Sequence, residues 1–108
     1  MPRFWRRDTG VANGQSDGSG IVAIADARTR TLVRVRGEVV QKRTRPVHGL
    51  PSLSITIRDQ TDTAGVVFTG RRQVGGIALG RRLLIEGVAV DSNGTLEFTN
   101  PAYTLLPP

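Results

Sequence analysis

Two stretches of this chain, fifty residues apart, share one pattern: apolar residues at every second position, with a glycine taking one of those places mid-strand. They are Val33-Arg34-Val35-Arg36-Gly37-Glu38-Val39 and Leu83-Leu84-Ile85-Glu86-Gly87-Val88-Ala89. Alternation at period two marks a half-buried strand, since successive side chains point to opposite faces. A glycine inside a strand packs nothing and loses much chain entropy, so it is unfavourable unless the strand must bend or bulge there. Long strands bent at their middle are what a small closed barrel needs, because one strand then serves two walls. The pattern therefore predicts an all-β chain closed into a barrel rather than a sandwich.

The remaining strands follow from the same period and from turn residues. Leu53, Ile55 and Ile57 alternate with Ser54, Thr56 and Arg58, and Val66 to Thr69 form a third strand after the Asp59–Gly65 turn region. The fourth strand opens at Leu83. Asn93-Gly94 predicts a type I′ hairpin into a fifth strand through Leu96 and Phe98, which Asn100-Pro101 interrupts before Tyr103 to Leu106. Thr44 to Ser52, with Pro46, Gly49 and Pro51, reads as a loop, and Arg71 to Gly80, with three glycines, holds at most a turn or two of helix. Ahead of the barrel, residues 1–20 read as a basic-aromatic arm (Phe4, Trp5, Arg6, Arg7) and a flexible Gly/Asn/Ser/Asp linker. Ile21, Ile24 and Ala25 recur at helical spacing, which predicts a short leading helix capped by Asp17 or Ser19. The barrel domain with this helix occupies residues 21–108.

The chain's 108 residues suffice for one domain with a modest core. It has no cysteine and one histidine, His48, so disulfides and Cys- or His-rich metal sites are excluded, and no cofactor is expected. No apolar run approaches the roughly 20 residues needed to span a membrane, and the charged N-terminus lacks the apolar stretch of a secretory signal. A soluble cytoplasmic protein is the expectation. Asp59 and Asp62 flank a turn and fit turn chemistry better than metal binding, and Gly75-Gly76 lacks the Lys-Ser/Thr of a phosphate-cradling loop. No nucleophile and base stand together in the pattern, so no enzyme activity is expected.

Net charge is +6, and its placement is uneven. Residues 34–45 hold Arg34, Arg36, Lys42, Arg43 and Arg45 against the single acid Glu38, whereas basic and acidic residues balance over 46–108. A localised excess of this kind focuses the field toward a polyanion, although the preponderance of arginine over lysine also fits a compositional bias.

The run of Val33-x-Val35-x-Gly37-x-Val39, Arg43, Ile55-x-Ile57-Arg58-Asp59-x-Thr61, Val66-Val67-Phe68 and Leu79-Gly80-x-x-Leu83-x-Ile85-Glu86-Gly87 resembles the anticodon-binding-type OB domain of class II aminoacyl-tRNA synthetases. The closing Phe98-Thr99-Asn100-Pro101-Ala102-Tyr103-x-Leu105-Leu106 is similar to the wedge OB domain of RecG-type DNA helicases and to small stand-alone actinobacterial OB-fold proteins. The resemblance implies a five-stranded Greek-key OB-fold barrel that inherits a binding module without a catalytic segment. The glycine-rich stretch between strands three and four departs from the helix that many OB domains carry there.

Such domains bind on the outer face of strands two and three, flanked by the loops joining strands one and two and strands four and five. Candidate nucleic-acid contacts are Arg34 and Arg36 on strand one, Arg43, Arg45 and His48 in the following loop, Arg58 on strand two, and Arg71 and Arg72 after strand three. Phe68 is the aromatic in strand three that would serve as a base-stacking platform, if Val67 and Thr69 rather than Val66 and Phe68 face the core. The expected function is a non-catalytic module for single-stranded or junction-like DNA or RNA, with weak sequence preference. The alternative is a protein-interaction adaptor, with the apolar C-terminal residues 103–108 as a docking segment. Oligomeric state is left open.

Overall fold

The computed structural model describes residues 20–108. The arm and linker expected before Gly20, with Phe4, Trp5 and the caps Asp17 and Ser19, lie outside the described residues. Six strands follow one another: β1 (Leu32–Val47), β2 (Leu50–Arg58), β3 (Thr63–Phe68), β4 (Arg82–Ser92), β5 (Thr95–Thr99) and β6 (Ala102–Leu105). They form one sheet in the order β1-β2-β3-β5-β4-β6, and β1 also pairs with β4. β1, β2, β3, β5 and β4 thus make a closed ring, in which β3 and β5 are the one parallel pair. β5 and β6 both lie along β4, separated by Asn100-Pro101, as the sequence predicts for one interrupted strand.

Ring closure depends on β1 changing partner. Leu32–Glu38 pairs with β4, and from Glu38 to Val47 the strand pairs with β2. Gly37 stands at the changeover. A Cβ placed on it would lie 2.9 Å from the Cβ of Ile57 and 3.1 Å from the backbone nitrogen of Arg58, so only glycine admits this crossing without a shift. Gly87, its counterpart on β4, faces Pro101 at the corner between β5 and β6. A bulge at Val40 follows, where Val39 pairs with Ile57 but Gln41 with Thr56. The bulge moves β1's outward positions from even to odd numbers, so Arg34, Arg36 and Glu38 before it are followed by Gln41, Arg43 and Arg45.

The inward positions build one core: Val35, Val39, Leu53, Ile55, Ile57, Ala64, Val66, Phe68, Leu83, Ile85, Ala89, Leu96 and Phe98 are all buried. Where a helix would close one end of the ring, residues 70–80 form only turns, and Val74 and Ile77 supply the buried plug. At the other entrance the predicted leading helix is a single 3₁₀ turn, Ile24–Asp26. The N–H groups of this turn are satisfied from the β2–β3 turn. Asp59 Oδ2 accepts the Ile24 N–H at 2.8 Å, and Thr61 Oγ1 accepts the Ala25 N–H at 3.0 Å. Asp59 Oδ1 also receives the N–H groups of Thr61 and Asp62 and the Thr61 hydroxyl, the turn role expected of it. Among the described residues no helix is long and apolar enough to cross a membrane.

The largest departure from the sequence reading lies between β1 and β2. The expected loop over Thr44–Ser52 is a continuous antiparallel ribbon, paired Thr44–Leu53, Arg45–Ser52, Pro46–Pro51 and Val47–Leu50. It turns through only His48 and Gly49, both in the left-handed region at φ 52° and 79°, the geometry of a type I′ turn. Asn93-Gly94 does the same between β4 and β5, at φ 54° and 85°.

Candidate nucleic-acid interface

The basic residues sort by register onto two walls. Arg34 and Arg36 project from the wall made by β1 and β4, where their lateral neighbours are Glu86 and Leu84. Arg34 Nε is 3.5 Å from Glu86 Oε2, so part of its charge is compensated in place. Arg43 and Arg45 lie beyond the bend and the bulge, on the wall of β1, β2 and β3. There Arg43 stands beside Ser54, which stands beside Val67, and Arg45 stands beside Ser52. The structure therefore divides the candidate contacts Arg34 and Arg36 from Arg43 and Arg45, placing them on different walls.

The wall of β1, β2 and β3 is electrostatically graded. At its foot Arg58 pairs laterally with Glu38, and Glu97 reaches over Gly65, whose added Cβ would meet the carboxylate at 3.8 Å. Arg58 is thus about 13 Å along β2 from the row of Arg43 and Ser54, at roughly 3.3 Å per residue. At the upper end the charge is of one sign. Residues 39–54 contain Lys42, Arg43 and Arg45 and no acid. The loop after β3 joins this end: the Gly70 N–H donates to Ser52 Oγ at 3.3 Å, and Ser52 is the register partner of Arg45. Exposed Arg71 and Arg72 therefore emerge beside the base of the ribbon. Ser52 is fully buried and donates its own hydroxyl to the Leu50 carbonyl at 3.1 Å, so it pins loop and ribbon together.

His48 occupies the ribbon tip as the first turn residue, and its exposed ring has no role in holding the hairpin. Phe68 is inward and 3 % exposed, packed edge-on to Tyr103 at 5.7 Å between ring centroids. It pairs with buried Leu53, and this parity sends Val67 rather than Phe68 outward, so the ring is core and no base can stack on it. Phe98 is buried too, and Tyr103 donates its hydroxyl to the Gly75 carbonyl. Among the described residues the wall consequently has arginines and hydroxyls but no aromatic platform. The sequence reading missed Val47 and Leu50, which flank the tip on the same ribbon face as Arg43 and Arg45; Leu50 is 53 % exposed. Lys42 lies on the other ribbon face and donates Nζ to the Ile77 carbonyl at 3.1 Å, which ties the ribbon's root to the plug.

Burial alone would raise the Asp59 carboxyl, but the hydrogen bonds from the Thr61 hydroxyl and from the Ile24, Thr61 and Asp62 N–H groups outweigh it and hold the group below its ordinary value. That is the signature of a structural turn. Among the described residues no three His, Cys, Asp or Glu side chains are grouped to hold a metal ion.

No protein-family model and no curated protein sequence matches this chain. Its likeness is to solved structures. The crystal structure of yeast Stn1 and Ten1 superposes with a TM-score of 0.57 and 15% identity, over 71% of this chain and 43% of that one. The solution structure of the OB domain of Ta0387 from Thermoplasma acidophilum also gives 0.57, with 18% identity over 80% of this chain and 86% of that one. The ring of β1, β2, β3, β5 and β4 is thus an OB fold.

Proposed function

We propose that this OB domain is a non-catalytic module that binds nucleic acid through its phosphates, using the upper end of the β1–β2–β3 wall. The observation that carries this is the single-signed cluster of Arg43, Arg45, Arg71 and Arg72, joined by the contact between Gly70 and Ser52 and free of any acid between Glu38 and Asp59. Arginines of this kind contact phosphates and position a partner without reading its sequence. The motif resemblance to anticodon-binding and helicase wedge domains points the same way. Arg34, Arg36 and Arg58, set apart and flanked by Glu86 or Glu38, act at most as outlying contacts.

The test is a salt titration of fluorescence anisotropy on a mixed-sequence DNA hairpin that offers both a stem and a single-stranded loop. Four phosphate contacts predict a log–log slope of about −3.6 on the stem or about −2.8 on the loop. Arg43→Glu with Arg45→Glu should remove binding at any salt while the melting temperature stays within a few degrees. Arg34→Glu with Arg36→Glu should weaken binding far less. Absence of binding at low salt refutes the reading.

A further inference from the structure

Resting on that nucleic-acid reading, we propose that the β1–β2 ribbon is a groove-entering arm, and that its ligand is the major groove of B-form duplex DNA. The dimensions fit. The last pair between β2 and β3 is Leu53 with Phe68, and the loop after β3 clasps Ser52, so Leu50 and Pro51, their partners Val47 and Pro46, and the turn extend past the ring. Two residues at about 3.3 Å each, with the turn beyond them, give a reach of about 10 Å, against a major-groove depth of about 8.5 Å and a width of about 12 Å that admits a two-stranded β-ribbon. The tip is narrow because the turn has only two residues, His48 and Gly49.

The chemistry of the arm is graded along its length in the order a groove requires. Leu50 and Val47 lie at the tip, where an apolar side chain meets thymine methyl groups at the groove floor. His48 stands between them with a ring that can donate or accept at base edges. Two and four residue pairs back from the tip, on the same face, Arg45 and Arg43 stand at the height of the groove walls, with Arg71 and Arg72 beside them for the flanking phosphates. Pro46 and Pro51 face one another behind the tip and fix φ in both strands, so the arm is formed before it meets its ligand.

Single strands are held by stacking bases on aromatic rings, and among the described residues this surface has none. Duplex RNA is excluded by shape, since the A-form major groove is deep and too narrow for side chains to read.

The experiment compares a blunt mixed-sequence DNA duplex, one of its strands alone and the RNA duplex of the same sequence, at one low salt concentration. Binding to the DNA duplex should be at least tenfold tighter than to either other probe. Methylation by dimethyl sulfate should show protection at guanine N7, in the major groove, rather than at adenine N3. Leu50→Glu should lower duplex affinity tenfold or more. Leu79→Glu, the same change at another exposed apolar residue outside the arm, should lower it no more than a few-fold. Equal or tighter single-strand binding, protection at adenine N3, or equal losses from the two glutamates overturn the groove proposal and leave phosphate binding standing. No binding to any probe overturns both.

Discussion

Replacing Gly37 by alanine should destabilise this fold, and replacing Gly65 should not, although both are strand glycines. At Gly37 the added methyl would sit 2.9 Å from Ile57 Cβ and 3.1 and 3.3 Å from the nitrogen and oxygen of Arg58. Two of those neighbours are backbone atoms of β2 and cannot swing aside. Forcing a methyl into such a site costs about 1–3 kcal/mol. Alanine also restricts the unfolded chain, which returns about 0.4–1 kcal/mol. The net loss is about 1–2 kcal/mol, or roughly 5–15 °C in melting temperature for a domain of this size. At Gly65 the nearest atom would be Glu97 Oε2 at 3.8 Å, ordinary contact, and its φ is not positive. There the unfolded-state effect stands alone, and Gly65→Ala should melt a few degrees higher. Thermal unfolding by circular dichroism on the three proteins decides it. A Gly37→Ala protein that melts at or above the parent would show that β1 does not need the close crossing to change partners.

Asp59→Asn should be less stable than the parent at pH 7. Because the folded carboxyl titrates below its unfolded value, this contribution is full above about pH 4 and fades as pH falls through the folded value, so urea midpoints of the two proteins should converge toward pH 2. Phe68→Ala should cost about 3–5 kcal/mol, the loss of a buried aromatic; an unchanged melt with weakened nucleic-acid binding would instead make the ring a platform. His48→Val should lose about 1–2 kcal/mol in urea unfolding, because a β-branched side chain disfavours the left-handed φ of 52°, whereas His48→Asn should be close to neutral.

Much of the fold is legible in the sequence because its signals are local. Period-two alternation marks β1, β2 and β4, Asn93-Gly94 marks the β4–β5 turn, and Gly37 and Gly87 mark the two places where strands are crossed closely. The candidate site is less legible, because its geometry comes from one bulged residue and one unusual turn. Val40 breaks the alternation, so the strand's second half reads as out of phase and Arg43 and Arg45 fall into an apparent loop. His48-Gly49 forms the same turn as Asn93-Gly94, but histidine in the left-handed region is less common than asparagine, and the nearby prolines reinforce the appearance of a break. Phe68 could not be placed by pattern, since Val66-Val67-Phe68 is apolar on both parities; pairing with Leu53 settles it. The split of the arginines between two walls is likewise a property of the bend at Gly37, which no count of charges contains.

The facing prolines of the ribbon also bear on how this chain behaves in company. A bare two-stranded arm presents two open edges, each able to recruit a strand from a neighbouring molecule. In an antiparallel ladder whose Val47–Leu50 pair closes the turn, the N–H groups of positions 46 and 51 would point away from the ribbon, one toward each edge. Pro46 and Pro51 remove both of those donors at once, near the end that protrudes furthest. The arm can thus stay exposed at high protein concentration without seeding edge-to-edge stacking, and substituting both prolines by threonine should turn a quiet surface into a point of self-association.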